Sequence, residues 1–222
     1  MIGESEPGIL RPSPLPPVAD AHHCPTCGAP LRIQNRFVTV VTCEFCGGVS
    51  LYDGAHLDPT GRTAGLVQIP SPLYLDATGQ LGGRAFRVLG RLLYEYDGGL
   101  WTEWFVEVEG AGRAWLVEDE GAFSILQKHD GIEAPAFEEV RPGDTIRTGD
   151  LDVYVDEVGE ATIVGGEGQL GAGLLPGETI RYVDGSAGES EVSIEYGERG
   201  IEVFIGRAIP REALVVDPEV YG

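Results

Sequence analysis

Three features of this 222-residue sequence predict an all-β fold, a small cysteine-held module followed by a β-sandwich or partly closed β-barrel. Past residue 76 the apolar residues fall in short runs rich in Val, Ile, Tyr, Phe and Trp, with no helix-period stretch of useful length. Glycine-bearing turns such as Asp97-Gly98-Gly99, Gly110-Ala111-Gly112 and Gly197-Glu198-Arg199-Gly200 separate those runs, as hairpins require where φ turns positive. The four cysteines sit in two close pairs near the front, Cys24/Cys27 and Cys43/Cys46.

Taken in order, residues 1–20 carry five prolines between Glu4 and Pro17 and almost nothing to bury, which predicts an extended arm. Residues 21–55 form the cysteine module. Residues 56–75, with Pro59, Gly61, Gly65, Pro70 and Pro72, read as a linker. Residues 76–222 form the β domain, with strands expected at 85–96, 101–109, 113–118, 122–127, 144–147, 151–158, 160–165, 179–183, 191–196 and 201–205. Strand and glycine turn alternate in both halves of this region, which raises an internal duplication as a reading.

The cysteine spacing is C-x2-C-x15-C-x2-C, with Gly28 and Gly47 after each pair. Two residues between cysteines allow a tight turn that aims both sulfurs at one ion, and the glycine accepts the left-handed backbone that turns amides toward the thiolates. Four thiolates close a tetrahedron and leave no open position for a substrate, so the site reads as structural zinc held by Cys24, Cys27, Cys43 and Cys46. Iron as a one-electron carrier is the alternative. The site resembles zinc ribbons and, through its knuckles, rubredoxin-type folds. His22 and His23 read as exposed turn residues, and His56 and His129 receive no role.

All three tryptophans fall in one hairpin, Tyr94 to Gly121. Strand alternation puts Trp104, Val106 and Val108 on one face and Trp101, Glu103, Phe105 and Glu107 on the other. With an even-length turn after Glu109, Trp115 and Val117 join Trp104 in a core face. The opposite face, Trp101, Glu103, Phe105 and Glu107, is the candidate ligand face: a carboxylate among aromatic rings is a general acid or half of a cage for a cation. The bland alternative is a solvated strand whose rings cover a loop. No nucleophile context, His- or Asp-based metal motif or phosphate loop accompanies it, and no catalytic residue is assigned.

Fifteen Lys and Arg stand against 36 Asp and Glu, a formal charge of −21. Residues 1–75 hold 4 Arg and 6 acids, net −2, so the remaining −19 belongs to residues 76–222. The module is neutral, Arg32 and Arg36 against Glu44 and Asp53, so phosphate neutralisation is missing and nucleic acid is excluded as the partner. The acid runs Glu118–Glu120, Asp150/Asp152 and Asp156-Glu157 read as solvated strand ends, with calcium as the alternative. No apolar run is long enough to insert in a bilayer. Paired cysteines behind an N-terminal stretch, Met1 to Ala21, with no basic start or apolar run predict a cytoplasmic protein.

Gly90-Arg91, Tyr96, Gly98 to Trp104, Trp115-Leu116 with Glu118 and Gly121, Glu160 to Ile163, Gly168-Gln169-Leu170 and Leu175 to Glu178 together resemble a bacterial domain-of-unknown-function family. Its members often follow an N-terminal zinc ribbon, and the resemblance covers roughly residues 20 to 215. It implies an all-β domain without established activity, encoded near phage-shock-type envelope-stress scaffolds, ion-channel-like membrane proteins and polyamine-synthesising enzymes. The expectation is a non-enzymatic interaction module with structural zinc, serving a membrane-stress assembly through a protein partner and binding a polyamine or a basic segment. The alternative is an enzyme using Trp101, Glu103 and Glu107 on a small cationic substrate.

Overall fold

The computed structural model describes residues 22–33, 37–65, 69–171 and 174–218, so the expected proline-rich arm, 1–20, lies outside the described residues. Five strands build the front: β1 (His22–His23), β2 (Pro30–Leu31), β3 (Val40–Thr42), β4 (Gly48–Tyr52) and β5 (Leu57–Thr63). β5 pairs with β4 inside the segment read as a linker, where Pro59 and Gly61 are tolerated because β5 is the outermost strand of its sheet. Then follow β6 (Thr78–Leu81), β7 (Arg84–Tyr96), β8 (Gly99–Val108), β9 (Gly112–Asp119) and β10 (Ala122–His129). The chain ends with β11 (Thr145–Thr148), β12 (Leu151–Leu170), β13 (Thr179–Ala187), β14 (Ser190–Gly197), β15 (Gly200–Ile209) and β16 (Leu214–Val216).

Two antiparallel meanders, β7 to β10 and β12 to β15, close into an eight-stranded barrel through the pairs β10–β15 and β12–β7. Exchanging each strand of one meander for its counterpart in the other leaves the order around the barrel unchanged. Closure depends on the length of β12, expected as two strands but continuous over 20 residues. Its first part bonds β13, its later part bonds β7, and bulges at Val155/Glu157 and Ile163/Gly165 coil it from one neighbour to the other. A sheet that closes has no exposed edge, which selects the barrel over the sandwich.

The interior is packed by Leu92, Tyr94, Phe105, Trp115, Ala161, Ile163, Ile180, Tyr182 and Phe204, and Val40, Val49 and Leu170 extend the same core into the cysteine module. The module is also stitched to the barrel by β3 on β12 and by a hydrogen bond from Gln169 Nε2 to the Arg32 carbonyl at 2.8 Å. Outside the barrel, β6, β16 and residues 73–77 cover Trp104, Val106, Val108, Ala114 and Leu116. On the other side Ile132, Ala134, Phe137, Val140 and Ile146 cover the outer face of β13 to β15. Both faces of these strands are therefore buried.

One register expectation is corrected. The turn between β8 and β9 has three residues, Glu109–Ala111, not an even number, so Trp104 faces Leu116 and Phe105 faces Trp115. Trp115 and Val117 consequently share the face of Phe105 and Glu103, while Trp104 packs outside with Val106, Val108 and Leu116. Trp104 is 1% exposed and donates its indole N–H to Glu118 Oε2 at 3.0 Å, an oxygen that Ser71 Oγ also reaches at 2.6 Å.

Candidate functional site

Each knuckle of the cysteine module is a hydrogen-bonded turn that ends on a left-handed glycine. Gly28 N–H donates to the Cys24 carbonyl and Gly47 N–H to the Cys43 carbonyl, both at 2.8 Å, with φ of 78° and 68°. The two turns converge: all four Sγ atoms lie within 4.8 Å of one another, Cys24 to Cys46 at 3.7 Å and Cys27 to Cys43 at 3.8 Å. A disulfide needs about 2.05 Å, whereas a tetrahedron of sulfurs about 2.3 Å from a central zinc has edges of about 3.8 Å.

The donor chemistry asks for a cation as well. Burial opposes ionisation of Cys24, but the Cys27 and Thr26 amides overcome it and pull the thiol down to about 6. Burial pushes Cys43 up; Cys46, despite the Gly48 amide, is pushed up to about 12 by the thiols around it. Four thiolates cannot coexist here without a positive centre, and the four cysteines fit a structural metal such as zinc. His22 stays outside the set: half-buried in β1, its Nε2 lies 3.2 Å from Tyr52 Oη.

The second feature is a cavity of about 390 Å³ inside one end of the barrel, lined by no residue of the cysteine module. Trp101, at the start of β8, forms part of its wall and stacks on Tyr94 with ring centroids 4.8 Å apart and planes 8° from parallel. Tyr96 and Tyr182 meet its ring edge-on at 5.1 and 5.4 Å. Gly159 of β12 is what lets Tyr182 lie in this position, since a Cβ there would sit 2.5 Å from the tyrosine hydroxyl.

Seven carboxylates line the cavity and grade inward: Asp119, Asp156 and Glu157 are exposed at the rim, Asp184 and Glu191 are half-buried, and Glu103 and Glu195 are buried. No Lys, Arg or His is among the lining residues. Glu103 Oε1 accepts the Trp101 indole N–H at 3.1 Å, and burial pushes its carboxyl up to about 7. Burial also pushes Asp184 up to about 6, against the pull of the Ser193 hydroxyl and with the push of Glu157, Glu191 and Asp156. Glu195 is raised well above the ordinary range by burial and then by Glu103. Glu195 is 7% exposed, and its Oε2 has no hydrogen-bond partner among the described residues.

The expected face Trp101, Glu103, Phe105, Glu107 is thus divided. Trp101 and Glu103 line the cavity; Phe105 is buried in the interior core, its ring 4.9 Å from Trp115; Glu107 is exposed near the far end of β8, opposite Arg87 and Arg113 in register. A pair formed by Glu103 and Glu107 does not exist. The second buried acid of the cavity is Glu195, which sequence reasoning did not single out. The signal was present as Glu191-Val192-Ser193-Ile194-Glu195, a period-2 strand whose polar face would ordinarily be the solvent face. Here the apolar face packs outward beneath residues 132–146, and the polar face turns into the barrel.

A family profile described as a domain of unknown function, DUF4178, matches residues 75–211, the barrel with its approach strand β6. The chain belongs to this family. No curated protein and no solved structure matches it. The DUF4178 region supplies every residue of the barrel cavity, and the cysteine cluster precedes it. No helix among the described residues is long and apolar enough to cross a membrane.

Proposed function

We propose that this protein is a non-enzymatic binding module whose barrel receives a cationic ligand, an organic polyamine or a basic segment of a partner protein, while zinc on the four cysteines holds the adjoining module in shape. The observation that carries this reading is Glu195: a carboxylate 7% exposed, facing the cavity, with one oxygen left without a partner. A buried acceptor of this kind costs free energy until a donor reaches it.

The charge distribution supports an extended ligand over a single ion. Among the described residues only the four cysteines bring three or more ligating atoms within 4.8 Å of one another, so the cavity carboxylates are too dispersed to wrap one divalent ion. A flexible chain of ammonium groups can address rim and floor at once, with its methylenes against Trp101, Tyr182 and Leu126. The resemblance to proteins encoded beside polyamine-synthesising enzymes and envelope-stress scaffolds agrees with this ligand, and with a role in a cytoplasmic assembly on the membrane face.

Calorimetric titration of the full chain with spermidine, at low and at physiological salt, tests the reading. Binding is expected at both, weakened at the higher salt through the exposed rim carboxylates, and lost in a Glu103→Gln, Glu195→Gln double variant. Absence of heat at low salt, or undiminished binding by the double variant, overturns it.

A further inference from the structure

We propose that the cavity exchanges protons for its ligand: in the empty barrel Glu103 and Glu195 are carboxylic acids, and the ammonium groups of an entering cation displace protons from them to bulk water. This rests on the reading of the barrel as a cation site and concerns what regulates its occupation.

The geometry leaves the empty barrel few alternatives. Glu103 and Glu195 project from opposing strands, β8 and β14, and both are more than nine-tenths buried. From β7 they are faced by Tyr94, from β13 by Tyr182 and Asp184, and from β15 by Glu202. β9 and β10 contribute Val117, Ser124 and Leu126 with Asp119 at the rim, and β12 adds Asp156 and Glu157 there. Every titratable group in that set is an acid or a phenol. Arg199 draws Glu195 down, as the last of the influences on it, and lies 3.7 Å from Glu178, while Lys128 binds Glu202 at 2.5 Å; neither lines the cavity. Glu103 Oε1 accepts the Trp101 indole N–H and its carboxyl is also drawn down by the Tyr94 hydroxyl, neither of which carries a charge, and Glu195 Oε2 has no partner among the described residues.

Two anions in mutual contact with one another's field, walled by rings and aliphatic groups, cannot both stay ionised without a counter-charge. Protons supply it when the barrel is empty, and a cation supplies it when the barrel is filled. The raised carboxyls of Glu103 and Glu195, each pushed up first by burial, agree with this, and because Glu103 also pushes Glu195 up the exchanged protons belong to both. Occupation then responds to acidity. Each proton displaced makes affinity rise about tenfold per pH unit while the acids are protonated, and the rise levels off once they ionise unaided. A cavity of permanently ionised carboxylates would instead bind equally well across that range.

The deciding experiment is spermidine calorimetry on the full chain near pH 6, in two buffers of widely different protonation enthalpy. Spermidine keeps all its amines protonated there, so the difference in heat counts protons leaving the protein. About one proton or more per ligand is expected, with affinity rising about tenfold between roughly pH 5.5 and 6.5. In parallel, carbon-detected NMR of ligand-free protein labelled in its Glu carboxyls should show two groups that remain protonated above about pH 6, absent in Glu103→Gln and Glu195→Gln spectra. Spermidine binding without proton release, or all Glu carboxyls titrating below about pH 5, overturns the exchange and leaves the cation site standing. Failure of spermidine to bind even near pH 8 overturns both. If the glutamine variants do not fold, the wild-type titration still decides.

Discussion

The cysteine cluster and the barrel cavity hold the same kind of problem, several anionic side chains brought together, and answer it in opposite ways. In the module two four-residue turns converge until the four sulfurs share the reach of a single ion. In the barrel seven carboxylates are distributed over five strands, so no one ion can join them. A converged set stabilises a fold through one strong centre and is closed to substrate. A dispersed set stabilises nothing by itself, and it leaves acceptors for a ligand to satisfy. The difference between them is one of local against tertiary placement: each knuckle is built by residues three apart in the chain, the cavity by residues about ninety apart.

The sharpest break in this comparison is removal of the ion that the four cysteines could hold. Cys27→Ser, or a strong chelator, should unfold the module, whose small core of Leu31, Ile33, Val38 and Val41 cannot persist without an ion contributing on the order of 10 kcal/mol. Because Val40, Val49 and Leu170 join the barrel interior, the barrel's melting temperature should fall too, which thermal unfolding followed by tryptophan fluorescence would record. A barrel that melts unchanged would mean that the two regions are energetically separate. Elemental analysis of the untreated protein should find about one zinc per chain.

The next largest effect belongs to the scaffold rather than to either site. Trp104→Ala removes a side chain 1% exposed and strips Glu118 of its indole donor, so it should cost roughly 3 to 5 kcal/mol in denaturant unfolding. Ligand binding at the barrel cavity, which Trp104 does not line, should survive in whatever fraction remains folded.

The cavity makes a prediction of opposite sign to the usual carboxylate. Glu103 has a folded-state value near 7 against an ordinary value of 4.5, so the folded state favours its protonated form. Its contribution to stability is complete below about pH 4.5 and is lost as pH rises toward 7. The ligand-free protein should therefore weaken across that window, and Glu103→Gln, whose amide oxygen still accepts the Trp101 N–H, should be the more stable protein near pH 8 by about 3 kcal/mol at most. Equal stability of the variant and wild type at that pH would place a charge on Glu103 at little cost and remove the contrast with the thiolate cluster.

The smallest effect is expected at Glu107. Exposed and outside the cavity, it should change spermidine affinity by less than about 0.5 kcal/mol when replaced by Gln, and only at low salt. A loss comparable to that of Glu103→Gln would restore the undivided strand face.

Much of this protein is legible one segment at a time. The spacing of Cys24, Cys27, Cys43 and Cys46, with Gly28 and Gly47 behind the pairs, determines two cysteine knuckles because the geometry of a four-residue turn is a local matter. The short β-rich runs and their glycine turns determine an all-β domain for the same reason. Tertiary structure decided the rest. Whether β12 would end near Gly159 or run on to close a barrel depended on two partners on either side of it, and a three-residue turn after Val108 moved Trp115 from one face to the other. Most of all, the inside of a strand is defined only by what covers its outside. Residues 132–146 lie over the Val192/Ile194 face of β14, and for that reason Glu191, Ser193 and Glu195, a solvent face by their pattern, became the floor and wall of an acidic cavity.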